Sequence, residues 1–104
     1  MRPKGWSDGQ LEGRVIHIDR FGNCVTNITR DELSVNDESR GVKMLVKGQV
    51  IDSFRSFYAQ ESETGELFGI WGSAGFLEIS AQNGSAANLM KAKRGDVVIM
   101  TRRP

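Results

Sequence analysis

The sequence predicts a small all-β fold, a closed or nearly closed antiparallel barrel of about six or seven short strands with one or two short helices. Three observations carry this. Apolar residues alternate with polar ones at the two-residue period of half-buried strands. The apolar runs are short, and turns rich in glycine and polar residues separate them. At 104 residues the chain fits one domain with a real core and leaves no room for a second catalytic domain.

Residues 1–10 contain Pro3, Gly5 and Gly9 without periodicity and read as a flexible arm, with the barrel running over 11–104. "GRVIHID" alternates Ile16 and Ile18 on one side with Val15, His17 and Asp19 on the other, a strand that should end near Asp19. After a tight turn, "NCVTNI" supplies a β-branched second strand. In "TRDEL", Thr29 and Glu32 stand at capping-box spacing, enough for one helical turn. "NDESRG" is loop. "VKMLVKGQVIDSF" reads as a hairpin turning at Lys47-Gly48, and "ESETGE" as another polar loop. "LFGIWGSAGFLEIS" gives two strands broken by Gly72-Ser73-Ala74-Gly75. Ser85 is a good N-cap for a helix from Ala86 to Lys93, with Gly95 as its C′ residue. "DVVIMTR" closes the chain as a last strand.

Hydrophobic residues make up 38% and charged residues 26%, with 14 Lys+Arg against 13 Asp+Glu, a balance that demands neither nucleic acid nor a membrane. The single cysteine, Cys24, excludes an internal disulfide framework. No apolar run approaches a membrane span, and the N-terminus lacks the apolar core of a secretory signal. A cytoplasmic location is expected, which makes the N-x-S/T matches at Asn27 and Asn83 chance occurrences.

Conventional catalytic sets are absent. One histidine and one cysteine give no zinc site, so no metal is expected. Ser73, His17 and Asp19 could be assembled on paper into a triad, but nothing places Ser73 beside the others, and His17 reads as a partly buried strand residue. The glycines at 69, 72 and 75 separate two strand-like runs, so they mark a hairpin and not a dinucleotide fingerprint. "NGSAA" leads into a helix whose first N–H groups lack intrahelical partners and could meet a ligand's acceptors.

The sharper set is Asp19, Phe21 and Asn23. Turn tips normally carry small or polar residues, yet Phe21 stands at one, with Gly22 to tighten it and a carboxylate and an amide at its feet. Two readings stay open: an Asx-type turn whose polar groups bond their own backbone with Phe21 folded onto the barrel end, or one wall of a binding site. Burying Phe21 is worth about 1.5–3 kcal/mol, so in the finished assembly something should cover it.

The segments "GRVIHIDRFGNCVTNI", "YAQESETGELFGIWGSAGFLEISAQNGSAANL" and "RGDVVIM" together resemble the C-terminal domain of the S-adenosylmethionine (SAM) hydroxide adenosyltransferases, whose relatives include SAM-dependent fluorinases and chlorinases. The resemblance implies a Greek-key barrel that follows an α/β N-terminal domain, with the active site between that domain of one subunit and the barrel of its neighbour. It implies that Asp19 meets the methionine ammonium and Ser73 its carboxylate, and that Phe21 and Asn23 meet the adenine. Tyr58 falls near a second adenine-side aromatic, and the backbone at Asn83 and Gly84 matches a loop that donates an N–H to adenine. Ala74 stands where halogenating relatives carry arginine, which puts the chain nearer the hydrolases.

On this reading the chain is the barrel half of an adenosine-forming SAM hydrolase site. It binds but holds no catalytic residue, works with an α/β domain in cis or trans, and tends to form homo-oligomers. SAM or adenosine is then substrate or ligand, and no cofactor is expected. The alternative is a stand-alone adenosine- or SAM-binding module without activity. A nucleic-acid-binding barrel would draw on Lys91, Lys93, Arg94, Arg102 and Arg103, but the net charge of +1 gives it little support.

Overall fold

The computed structural model describes residues 6, 7, 9–32, 42–52, 54, 55, 67–82 and 84–102. It contains β1 (Gln10–Ile18), β2 (Cys24–Thr29), β3 (Val42–Val46), β4 (Gln49–Ile51), β5 (Phe54–Arg55), β6 (Leu67–Trp71), β7 (Phe76–Ala81), α1 (Ala86–Met90) and β8 (Val97–Arg102). A single turn of 3-10 helix at Arg30–Glu32 follows β2, where the capping-box spacing predicts it. The strands join in the order β4-β3-β8-β1-β2-β7-β6-β5. Seven of them pair antiparallel into a nearly closed barrel, and the two-residue β5 adds a parallel edge beside β6.

Turn chemistry sets the hairpins. Lys47 and Gly48 both have positive φ, 52° and 79°, the requirement of the two-residue turn whose twist matches the flanking strands. The resulting register pairs Val46 with Gln49 and Leu45 with Val50. Between β6 and β7 the Gly72 N–H donates to Phe76 O and the Gly75 N–H to Gly72 O. With Gly75 at φ 87°, this is a three-residue loop closed by a left-handed glycine.

β1 departs from simple alternation. Its partners run Val15↔Thr26, then His17↔Val25 and Ile18↔Cys24, so Ile16 is an extra residue in a bulge. Val15 faces the core before the bulge, and Ile18 packs against the core after it. The expectation that Ile16 and Ile18 share a side opposite Val15 is thus corrected, and His17, expected to be partly buried, is exposed. The bulge lies opposite a second turn, where the Val15 N–H donates to Asp96 O and the Gly95 N–H to Val15 O.

The core is built from Leu11, Val15, Cys24, Ile28, Met44, Val46, Leu77, Ile79, Val98 and Met100, all essentially inaccessible. α1 closes one end, turning Ala86, Ala87 and Met90 into the same cluster. The helix is shorter than the sequence suggests. The cap falls at Lys91 and not at Gly95: Lys91 takes the left-handed conformation (φ 55°, ψ 40°), and the Ala92 N–H reaches back to Ala87 O, ending the helix in a Schellman-type cap. Within the stretch read as an arm, Trp6 packs partly buried against the core and its indole N–H donates to Glu32 O. Asn27, in one of the two glycosylation-like triplets, is buried and accepts the Arg14 N–H through Oδ1 (2.8 Å). No helix among the described residues is long and apolar enough to cross a membrane.

Candidate functional site

The turn from Asp19 to Asn23 is held from within. Asp19 N donates to Asn23 O (3.1 Å) and Gly22 N to Asp19 O (2.9 Å). The carboxylate then takes three further bonds: Oδ1 accepts from the backbone N–H of Phe21 (2.8 Å) and of Asn23 (3.0 Å), and Oδ2 from the Asn23 amide (3.0 Å). Partial burial opposes ionisation of Asp19. The bonds from Asn23 and Phe21, with His17 nearby, outweigh it and hold the carboxyl below its ordinary range. This is the self-bonded Asx turn that the sequence leaves open as one reading.

Its other half does not follow. Phe21 is not folded onto the barrel end; it is 66% exposed, the most exposed large apolar side chain described. The Arg20 guanidinium sits 5.1 Å from its ring centroid, on one face of the ring. The turn is therefore stiff in its polar feet and apolar at its tip, so the Asx-turn reading holds for the polar groups and not for Phe21.

A second clamp fixes the turn to the helix. Gly22 is buried at φ 85°, so close to Ser85 that a Cβ on it would come within 1.9 Å of the Ser85 hydroxyl. Its carbonyl accepts the Ala87 N–H (2.9 Å), while Ser85 Oγ accepts the Asn88 N–H (3.1 Å). The expectation that the first N–H groups of this helix stand open to a ligand is thereby corrected for Ala87 and Asn88: the chain itself supplies their acceptors. Gly84, exposed, pairs with Ala81 in an isolated bridge just before the helix.

The fold thus gathers Asp19, Phe21, Asn23, Gly84 and Ser85 at one end of the barrel. Ser73 lies elsewhere. Cys24, next to Asn23, pairs with Ile79, whereas Thr29 pairs with Phe76, so the exposed Ser73 turn stands at the opposite end of the β2–β7 ladder. Ser73, His17 and Asp19 are accordingly not assembled into a triad. Beside the Ser73 turn, the Arg30 guanidinium lies 4.8 Å from the Trp71 ring centroid. Tyr58 and Asn83 lie outside the described residues. Among the described residues no three His, Cys, Asp or Glu side chains are placed to hold a metal.

Sequence reasoning misses Gly22 and Ser85 as a pair. Each carries a local signal, a turn glycine and an N-cap serine, but their contact is made only by the tertiary fold.

Comparison with known proteins gives a consistent picture. The family described as SAM hydroxide adenosyltransferase C-terminal domain matches residues 13–99. An (R)-S-adenosyl-L-methionine hydrolase from Methanocaldococcus jannaschii is 33% identical over 90 residues, covering 78% of this chain and 32% of that protein. Among solved structures, an uncharacterized conserved protein from Thermotoga maritima aligns at TM-score 0.77 and 28% identity over 98% of this chain and 39% of its own. A conserved hypothetical protein from Thermus thermophilus aligns at TM-score 0.67 and 30% identity, covering 86% of this chain and 34% of its own. The chain thus spans about a third of the length of the curated relative it matches.

Proposed function

Because the chain belongs to the SAM hydroxide adenosyltransferase C-terminal domain family, we propose that it is the barrel half of an adenosine-forming SAM hydrolase site. The observation that carries this reading is Phe21: a large aromatic ring, 66% exposed, on a turn whose every described polar foot is tied down. Such a ring offers a flat apolar face at low entropic cost, which suits stacking on a purine. Asn23 spends one amide N–H on Asp19 and keeps its carbonyl and second N–H for an adenine edge. Gly84, close by in the fold, brings backbone beside them. Asp19 stays anionic and meets the methionine ammonium; Ser73, at the opposite end of the β2–β7 ladder, belongs to the proposal through the family resemblance alone. Tyr58 and Asn83 belong to the same proposal through the family resemblance alone.

Water activation is assigned to an α/β domain in cis or trans, because the gathered residues include no base free of its own turn. A subunit covering Phe21 would also remove its apolar surface from water, which supports a homo-oligomer. A cytoplasmic location belongs to the same reading. Two measurements test it. Adenosine titrated into the chain should shift the amides of Phe21, Asn23 and Gly84 together, with a Kd no tighter than about 1 mM, since one wall supplies the contacts. Prolonged incubation with SAM should release no adenosine. Adenosine release proportional to the protein and abolished by Asn23→Ala would overturn the non-catalytic assignment. Shifts confined to Lys91, Lys93 and Arg102 would replace the nucleoside reading with a phosphate-binding one.

A further inference from the structure

Two buried hydroxyls lie in the β2–β7 ladder, and they are treated differently. Thr26 Oγ1 donates to Leu77 O (2.7 Å) and accepts the Ile28 N–H (3.2 Å), the usual economy of a buried hydroxyl. Ser80 is 1% exposed, and its Oγ has no hydrogen-bond partner, the single such side-chain atom among the described residues. Buried polar groups without partners are rare in native proteins and costly where they occur, so each calls for a reason.

Its position suggests one. Ile79 pairs with Cys24, so continuing that register by one residue sets Ser80 level with Asn23. Side chains alternate across a strand. Ile79 and Cys24 point into the core, which puts Ser80 on the other face, with its β6 partner Phe68 and on the side of Asn23. Of the Asn23 amide, one N–H is committed to Asp19, and its carbonyl and second N–H are the groups kept for a ligand. The orphan hydroxyl therefore sits where the 19–23 turn and the strand leading to Gly84 converge.

We infer that the Ser80 hydroxyl is an additional ligand-binding group of this site, hydrogen-bonding the purine edge beside Asn23. The inference rests on the nucleoside reading proposed above. A hydroxyl rotates to donate or accept, so it can complete an edge that presents an amino donor next to a ring-nitrogen acceptor. The unmet bond in the free protein is then met on binding.

The test separates this from a structural role. Ser80→Ala and, as the control, Thr26→Ala are compared with the parent chain by thermal midpoint and by NMR titration with adenosine. Thr26→Ala should lower the midpoint, because it strips Leu77 O and the Ile28 N–H of their partner. Ser80→Ala should leave the midpoint unchanged or raise it, yet weaken adenosine about tenfold, one good hydrogen bond. That is read as loss of most of the shift at the concentration that half-saturates the parent. If Ser80→Ala lowers the midpoint as Thr26→Ala does, or fails to fold, the hydroxyl is structural and the inference falls. If Asn23→Ala abolishes binding while Ser80→Ala binds as the parent, the inference falls and the nucleoside reading stands. If the parent shows no adenosine shifts at all, both fall.

Discussion

Replacing Gly22 by alanine tests the clamp that holds the Phe21 turn against α1. Two costs add at this position. An L-residue at φ 85° carries about 1–2 kcal/mol of left-handed strain. The new methyl also lands 1.9 Å from Ser85 Oγ and 2.6 Å from its Cβ, an overlap only backbone movement relieves, at about 1–3 kcal/mol. Together they come to about 3 kcal/mol, or roughly 15 °C of midpoint for a chain of this size. Gly48→Ala is the internal standard: its φ is similar, 79°, but nothing stands within 4 Å of the added methyl, so it bears the backbone cost alone. Urea unfolding of both variants measures the difference. Adding Ser85→Gly to Gly22→Ala should return at least about 1 kcal/mol, since glycine at an N-cap costs only a few tenths and frees the space. Equal losses in Gly22→Ala and Gly48→Ala, with no recovery in the double variant, would refute a turn wedged on the helix.

Phe21→Ser should leave stability within about 0.5 kcal/mol, as expected of an exposed side chain, while removing the adenosine-induced shifts; a folded variant that binds adenosine like the parent would remove Phe21 from the site. Asp19 titrates lower folded than unfolded, so its contribution is complete above the unfolded value and is lost as pH falls through the folded one. Asp19→Asn should accordingly flatten the acid limb of a stability–pH curve, and an unchanged limb would mean the turn's bonds do not favour the carboxylate. Burial, with Asp19 and Asp96 adding repulsion, pushes the Cys24 thiol up to about 11. Its contribution to stability is present below the ordinary thiol value and lost as pH rises toward 11. At neutral pH its alkylation should follow global unfolding, and rapid labelling of the native protein would contradict the packing at Cys24.

Local chemistry makes much of this fold readable. Lys47-Gly48, the glycine-bearing turn before β7 and the Ser85 cap each announce themselves through backbone demands that few residues meet. Where sequence and structure part, a longer-range cause intervenes. The faces of β1 escape the two-residue period because the bulge at Ile16 answers to pairing with Thr26 and Val25 on β2 and to the turn at Gly95 and Asp96, none of it visible in "GRVIHID". The helix stops at Met90 because Lys91 accepts a left-handed conformation usually left to glycine. Phe21, Asp19 and Asn23 are legible as a set because an aromatic at a turn tip violates the ordinary pattern. That the polar members bond chiefly to one another depends on closure of the turn itself, so the sequence leaves it open. Ser80 gives no signal, for a serine in an apolar strand looks the same whether or not its hydroxyl finds a partner.

The pairing of β1 with β8, from Gln10↔Thr101 to Arg14↔Val97, bears on how the barrel forms. Hairpins such as β3–β4 close over a few residues and need about 1–10 μs. The β1–β8 seam must bring together residues separated by almost the whole domain, and its loop entropy falls due before any of its hydrogen bonds are made. On a ribosome, β1 emerges early, finds β2 within a short stretch, and then waits with its other edge open until β8 has been made. That edge is the surface most exposed to wrong partners during synthesis. The seam that completes the core is therefore also the step that sets how long the nascent barrel remains vulnerable to aggregation.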